Sequence, residues 1–246
     1  MNTQPIIILG HPRSGSTLLS AILSKHSRIA TSSGMSSGYD NIQQFLDKLL
    51  DKEFHHKYTA EIEQPKIWAC ALTNLYMIDE WAAYEKELNI LTVLGFREWI
   101  KLQTGNGKRY LGKIPQSTYY LNDILKLLPD TKIIFTTREK PDVIASFGQK
   151  SRWAFDKVGY ETGIINLSRL YDNVEKFINI KSNQYNIPTI KYTDLINDTV
   201  RTVVKLFEYL ELPKESYINN IKLSSKKDKW KERIPEKYHD LILGRI

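Results

Sequence analysis

The chain has 246 residues, 41% apolar and 26% charged, enough to bury a sizeable core in one domain and too little for two full ones. Twelve Gly and nine Pro beside 14 Tyr, 8 Phe and 5 Trp exclude a collagen-like, low-complexity or disordered chain, because aromatic side chains bring large buried area. Thirty-five Lys and Arg against 28 Asp and Glu give +7, which favours an anionic partner without choosing among nucleic acid, phosphorylated small molecules and acidic surfaces.

Pro5-Ile-Ile-Ile-Leu-Gly10 is a short β-branched run ending in glycine, the pattern of a strand buried on both faces. It lacks the basic lead and the length of a signal peptide, so no export is expected. Leu18, Leu19, Ile22 and Leu23 then recur at helical spacing from Ser16 onward. Thr31 to Gly38 is the most loop-like segment, followed by helical patterns at 41–51 and 67–88. Short strands are expected at 90–96 and 110–114, and a helix from Ser117 to Leu128, stopped by Pro129. The run at 90–96 is the longest candidate span, but Thr92, Gly95 and its length exclude a membrane crossing. Thr131 to Thr137 reads as a second core strand, with Pro141 opening the next helix, where its missing N–H does no harm. A helix at about 163–185, a strand at 188–192 and a helix at about 199–210 complete an α/β alternation. The Lys-rich stretch 222–237 has too few apolar positions to be assigned. No internal repeat or low-complexity linker divides the chain, so a single domain over 1–246 is expected. The lone Cys70 closes no intramolecular disulfide, and a reducing, cytoplasmic address follows.

The sharpest motif is Gly10-His-Pro-Arg-Ser-Gly-Ser-Thr17, between a buried strand and a helix. Its glycine spacing and final hydroxyl fit a phosphate loop, except that Ser16 stands where such loops carry lysine. Backbone N–H groups and the positive helix end can cradle an anion without that lysine, but splitting a triphosphate normally needs it. Arg13 supplies a cation from a different place. A second constellation is Arg138 at the carboxyl end of the second core strand, with Ser146 and Lys150 four residues apart on one face of the next helix. Ligands of open α/β sheets bind beyond the carboxyl ends of strands, so both constellations would share one cleft. Read singly, the first motif is a serine-rich turn capping a helix and the second a surface ion pair.

Together the motifs resemble the sulfotransferases that use 3′-phosphoadenosine 5′-phosphosulfate (PAPS) as donor, in their bacterial and tyrosylprotein branch. Pro12 to Leu19 is similar to the family's 5′-phosphosulfate loop, and Lys132 to Arg138 with Pro141 to Ser146 is similar to its 3′-phosphate motif. Lys191-Tyr-Thr-Asp-Leu195 is similar to the segment after the last core strand, and Lys229-Trp230 with Ile234-Pro235 to the closing segment. The resemblance implies an α/β fold, a P-loop-like three-layer sandwich with a central parallel sheet flanked by helices. It implies Arg13 and Lys113 as catalytic residues, Arg13 on the departing phosphate oxygen and Lys113 on the moving sulfuryl oxygens. Ser14, Gly15, Ser16 and Thr17 would hold the 5′-phosphate, with Arg138, Ser146, Lys150, Tyr192 and Ser225 completing the nucleotide site. PAPS would be a co-substrate, the acceptor a small molecule, and no metal or nucleic acid is expected. Taken alone, Lys113 also reads as an exposed lysine ending an edge strand.

Departures from the pattern concern the general base. Family members carry a histidine near the Lys113 segment or a glutamate after the first helix, where this chain has Gln116 and Ser117, or Ser33 and Gly34. Asp40, Glu98 and His11 are the substitutes on offer, each with a structural alternative: a helix cap, a surface charge, a loop hydrogen bond. The Arg-Lys-Gly segment of cytosolic members is replaced by Ser224-Ser-Lys-Lys-Asp-Lys-Trp230. His26, His55, His56 and His239 show no metal-ligand spacing. Two rival functions remain, a small-molecule kinase and a basic nucleic-acid-binding protein on the same fold.

Overall fold

The computed structural model describes residues 4–31, 107–150, 155–223 and 229–245. The helices expected at 41–51 and 67–88, the strand at 90–96, most of the loop after Thr31, and Asp40 and Glu98 lie outside the described residues. Strand β1 (Ile6–Gly10) is the centre of a five-stranded parallel sheet. Around it stand β2 (Ile29–Thr31), β3 (Arg109–Lys113), β4 (Lys132–Thr137) and β5 (Thr189–Lys191), in the spatial order β2-β3-β1-β4-β5. The register sets Gly10 beside Thr136 and Ile8 beside Lys113, which aligns the carboxyl ends of the three central strands.

The unbroken apolar runs of β1 and β4 follow from two covered faces. Ile6, Ile8 and Ile134 enter one core with helix α1 (Ser16–Leu23) and helix α7 (Thr199–Tyr209). Ile7, Leu9, Ile133 and Phe135 enter the other, with helices α2 (Leu121–Leu127), α3 (Lys140–Lys150) and α5 (Tyr160–Tyr185). The result is a three-layer α/β sandwich of the P-loop type. Among the described residues the remaining helices are α4 (Phe155–Val158), α6 (Tyr192–Asn197), α8 (Lys229–Arg233) and α9 (His239–Ile242).

Sequence and structure differ at element ends. The helix expected from Ser117 begins as a 3₁₀ turn, Pro115–Tyr120, because Thr118 turns its hydroxyl back onto Gly10 and Pro115, and only then becomes α2. The last strand stops before Tyr192, which opens α6. In the Lys-rich stretch, α8 forms around Trp230, which is 6% exposed and enters the core beside α3.

Candidate functional site

The loop 10–17 leaves β1 at two glycines that the surroundings require. Gly10 has φ +124°, and a Cβ there would stand 2.1 Å from the Thr136 carbonyl oxygen. Gly15 has φ +91°, and its Cβ would stand 2.5 Å from the Tyr192 ring. Arg13 between them is itself left-handed, at φ +70°, strain of the kind that concentrates at functional turns. Ser14 is spent on the loop: its hydroxyl donates to the His11 carbonyl at 2.5 Å and lies 2.6 Å from the Thr136 hydroxyl. No side chain caps α1 at Gly15, so the first N–H groups of the helix are left for an anion.

The second constellation closes on the first. Arg13 Nε donates to Ser146 Oγ at 3.1 Å, although 133 residues separate them. Arg138 lies between Asp142, at 3.3 Å, and the Tyr192 ring, 4.3 Å from its centroid, and its Nε is buried with no hydrogen-bond partner among the described residues. Tyr192 therefore touches both Gly15 and Arg138. Burial depresses the Arg13 pKa, and the guanidinium groups of Arg138 and Arg233 depress it further, so three like charges gather at one mouth. Lys113 Nζ donates to Thr17 Oγ1 at 3.2 Å, and the residue is 8% exposed. Since β3 is an interior strand, Lys113 is a buried cation facing the loop, not an exposed lysine at a sheet edge.

A family model, that of the sulfotransferases, matches residues 5–216. The chain belongs to the sulfotransferase family. No curated protein matches it in sequence. Solved structures give the same fold at low identity. A sulfotransferase, STF9, from Mycobacterium avium is 13% identical at TM-score 0.56, covering all of this chain and 76% of its own. The sulfotransferase domain of the Synechococcus PCC 7002 olefin synthase is 17% identical at TM-score 0.56, covering 96% and 83%. Mouse SULT7A1, solved with adenosine 3′,5′-bisphosphate (PAP), is 14% identical at TM-score 0.50, covering 100% and 85%.

In this sulfotransferase, Arg13, Gly15, Thr17, Lys113, Arg138, Ser146 and Tyr192 thus meet at the carboxyl edge of the sheet, with Ser14 and Ser16 buried in the loop beneath. Ser225 and the side chain of Lys150 lie outside what is described. Sequence reasoning missed Asp142, although its i,i+4 spacing from Arg138 announces the pair. It also missed Arg233, hidden in the lysine-rich stretch. Next to the loop runs a narrow, mostly apolar cleft with an enclosed volume of about 20 Å³, lined by His11, Pro12, Tyr119, Phe147, Leu167 and Tyr171 among others. Tyr119, one of the lining residues, has a buried hydroxyl with no hydrogen-bond partner among the described residues. Among the described residues no helix is long and apolar enough to cross a membrane, and no cluster of His, Cys, Asp or Glu is suited to a metal ion.

Proposed function

We propose that this sulfotransferase moves the sulfuryl group of PAPS to a hydroxyl or amine of a small-molecule acceptor and releases PAP. The observation that carries this reading is the 3.1 Å contact of Arg13 with Ser146, which joins the two anion-binding turns into one site. Two turns at a shared mouth suit a ligand with two separate phosphates, and a cluster of guanidinium groups needs anions to relieve it.

The N–H groups at the start of α1, with Ser16 and Thr17, would hold the 5′-phosphate. Arg138 and Ser146 would hold the 3′-phosphate, with Arg233 as a further cation; Lys150 and Ser225 are proposed to assist them. As the S–O bond to the donor phosphate breaks, charge grows on the departing oxygen, and the preorganised Arg13 guanidinium stabilises it. Lys113, fixed by Thr17, would face the sulfuryl oxygens. The small-molecule acceptor is proposed to approach the donor along the mostly apolar lining beside the loop, past His11, Pro12 and Tyr171. The family match over 5–216 supports one sulfotransferase domain, and the lone Cys70 a reducing, cytoplasmic setting.

Thermal unfolding with nucleotides tests the reading. PAP at a hundredfold excess over its Kd should raise Tm by about 5–10 °C, from about 2.7 kcal/mol of linkage, without added magnesium. Equal stabilisation by ADP with Mg²⁺ would favour a kinase and overturn the assignment.

A further inference from the structure

Helix α5 reaches both anion-binding turns with one face. Tyr171 and Glu175 are four residues apart, so they stand one turn apart on the same side of the helix. The Tyr171 ring stacks on the His11 ring, with centroids 4.2 Å apart and planes at 9°, and its hydroxyl donates to the Arg138 carbonyl at 2.7 Å. Glu175 Oε2 lies 2.9 Å from His11 Nε2. His11 is 2% exposed; its N–H donates to the Thr136 carbonyl, and its own carbonyl accepts from the N–H and hydroxyl of Ser14. Ring and backbone are both fixed, two residues before Arg13.

Burial, reinforced by the carboxylates of Glu175, Glu139 and Asp172, pushes the Tyr171 phenol upward, so its O–H stays a donor across the neutral range. None of the donor contacts proposed above falls to Tyr171 or Glu175. What they do is tie the loop before Arg13 and the turn at Arg138 to one rigid support.

We propose that Tyr171, with Glu175 and His11, determines nucleotide specificity: one face of α5 fixes the spacing between the Arg13 and Arg138 turns and thereby selects adenosine phosphorylated at both the 5′ and 3′ positions over adenosine phosphorylated at 5′ alone. The inference rests on the donor reading above. Charge-assisted hydrogen bonds to two phosphates form together only when both turns are held in place beforehand, and a turn free to drift forfeits one set.

Tyr171 and Glu175 are positioning residues, so the readout is a ratio of affinities, which a general loss of stability leaves alone. Kd values for PAP and for adenosine 5′-monophosphate are measured by calorimetry on the folded wild type, Tyr171→Phe and Glu175→Gln, with Tm recorded for each. Tyr171→Phe keeps the ring stack and removes the bond to Arg138; it should lower the preference for PAP about tenfold, mainly through weaker PAP binding. Glu175→Gln, which loosens the loop side of the same support, should lower the preference for PAP about threefold. Wild-type ratios and affinities in both variants would overturn the inference while leaving the donor reading intact. A wild type that binds the two nucleotides alike would overturn both.

Discussion

The two ends of the parallel sheet both carry arginine and use it in opposite ways. At the amino end of β3, Arg109 is 2% exposed; its Nε donates to the Gln4 carbonyl at 2.7 Å and its Nη1 to the Leu210 carbonyl. Burial alone depresses its pKa, but Glu211 and Tyr209 oppose that. At the carboxyl end, Arg13 finds one serine hydroxyl and two other guanidinium groups that depress it further. Arg109, two of whose nitrogens donate to main-chain carbonyls of different segments, holds those segments together, although its Nη2 is buried with no hydrogen-bond partner among the described residues. Guanidinium groups that depress the Arg13 pKa suit the anion proposed to bind among them.

The largest effect expected from this contrast is on stability. Arg109→Ala removes a buried side chain and leaves two carbonyls without their donor, which should cost about 4 kcal/mol. In thermal unfolding that is a fall of roughly 10 °C for a chain of this size, and protein that remains folded should bind PAP within about twofold of wild type. A variant with unchanged Tm and lost nucleotide binding would erase the distinction between the two ends.

The converse substitution should act on chemistry. Arg13→Ala removes the cation proposed to stabilise the departing oxygen and should lower kcat by about 10²- to 10³-fold with Tm nearly unchanged, because an exposed loop side chain contributes little packing. Wild-type turnover in that variant, measured with labelled donor, would remove Arg13 from the mechanism and make its contact with Ser146 purely structural.

The contrast also explains what the sequence revealed. Strands β1 and β4 are legible because covering both faces of a strand demands an uninterrupted apolar run, and Gly10 and Gly15 are legible because only glycine fits where Thr136 and Tyr192 approach. Arg138 and Ser146 are legible through their spacing after a core strand. The partners that tune them are not: Glu175 pairs with His11 across 164 positions, and no periodicity encodes that contact. His11, read as a loop hydrogen bond or a substitute base, makes a side-chain hydrogen bond to Glu175 of α5 and also carries a ring stack. The α8 helix escapes notice because a single buried Trp230 anchors five residues otherwise charged. Tyr192 reads as a strand end, whereas its packing against Gly15 makes it the first residue of a helix.

The smallest effect expected sharpens the comparison from its structural end. There, side chains donate to main-chain carbonyls: Tyr209 to Ile133 at 3.1 Å, and Tyr217 to Ile22 at 3.0 Å, near the end of α1. Burial, aided by Glu215, pushes the Tyr217 phenol up to about 12. A phenol raised above its unfolded value contributes stability in full below about pH 10 and loses it as pH rises toward 12. Tyr217→Phe should therefore destabilise the fold by about 1 kcal/mol at neutral pH, and the gap from wild type should shrink as pH climbs through that window. Denaturant unfolding at a series of pH values measures the gap directly. A gap that stays constant to pH 12 would mean that the hydroxyl contributes by packing and not by donating its proton to Ile22.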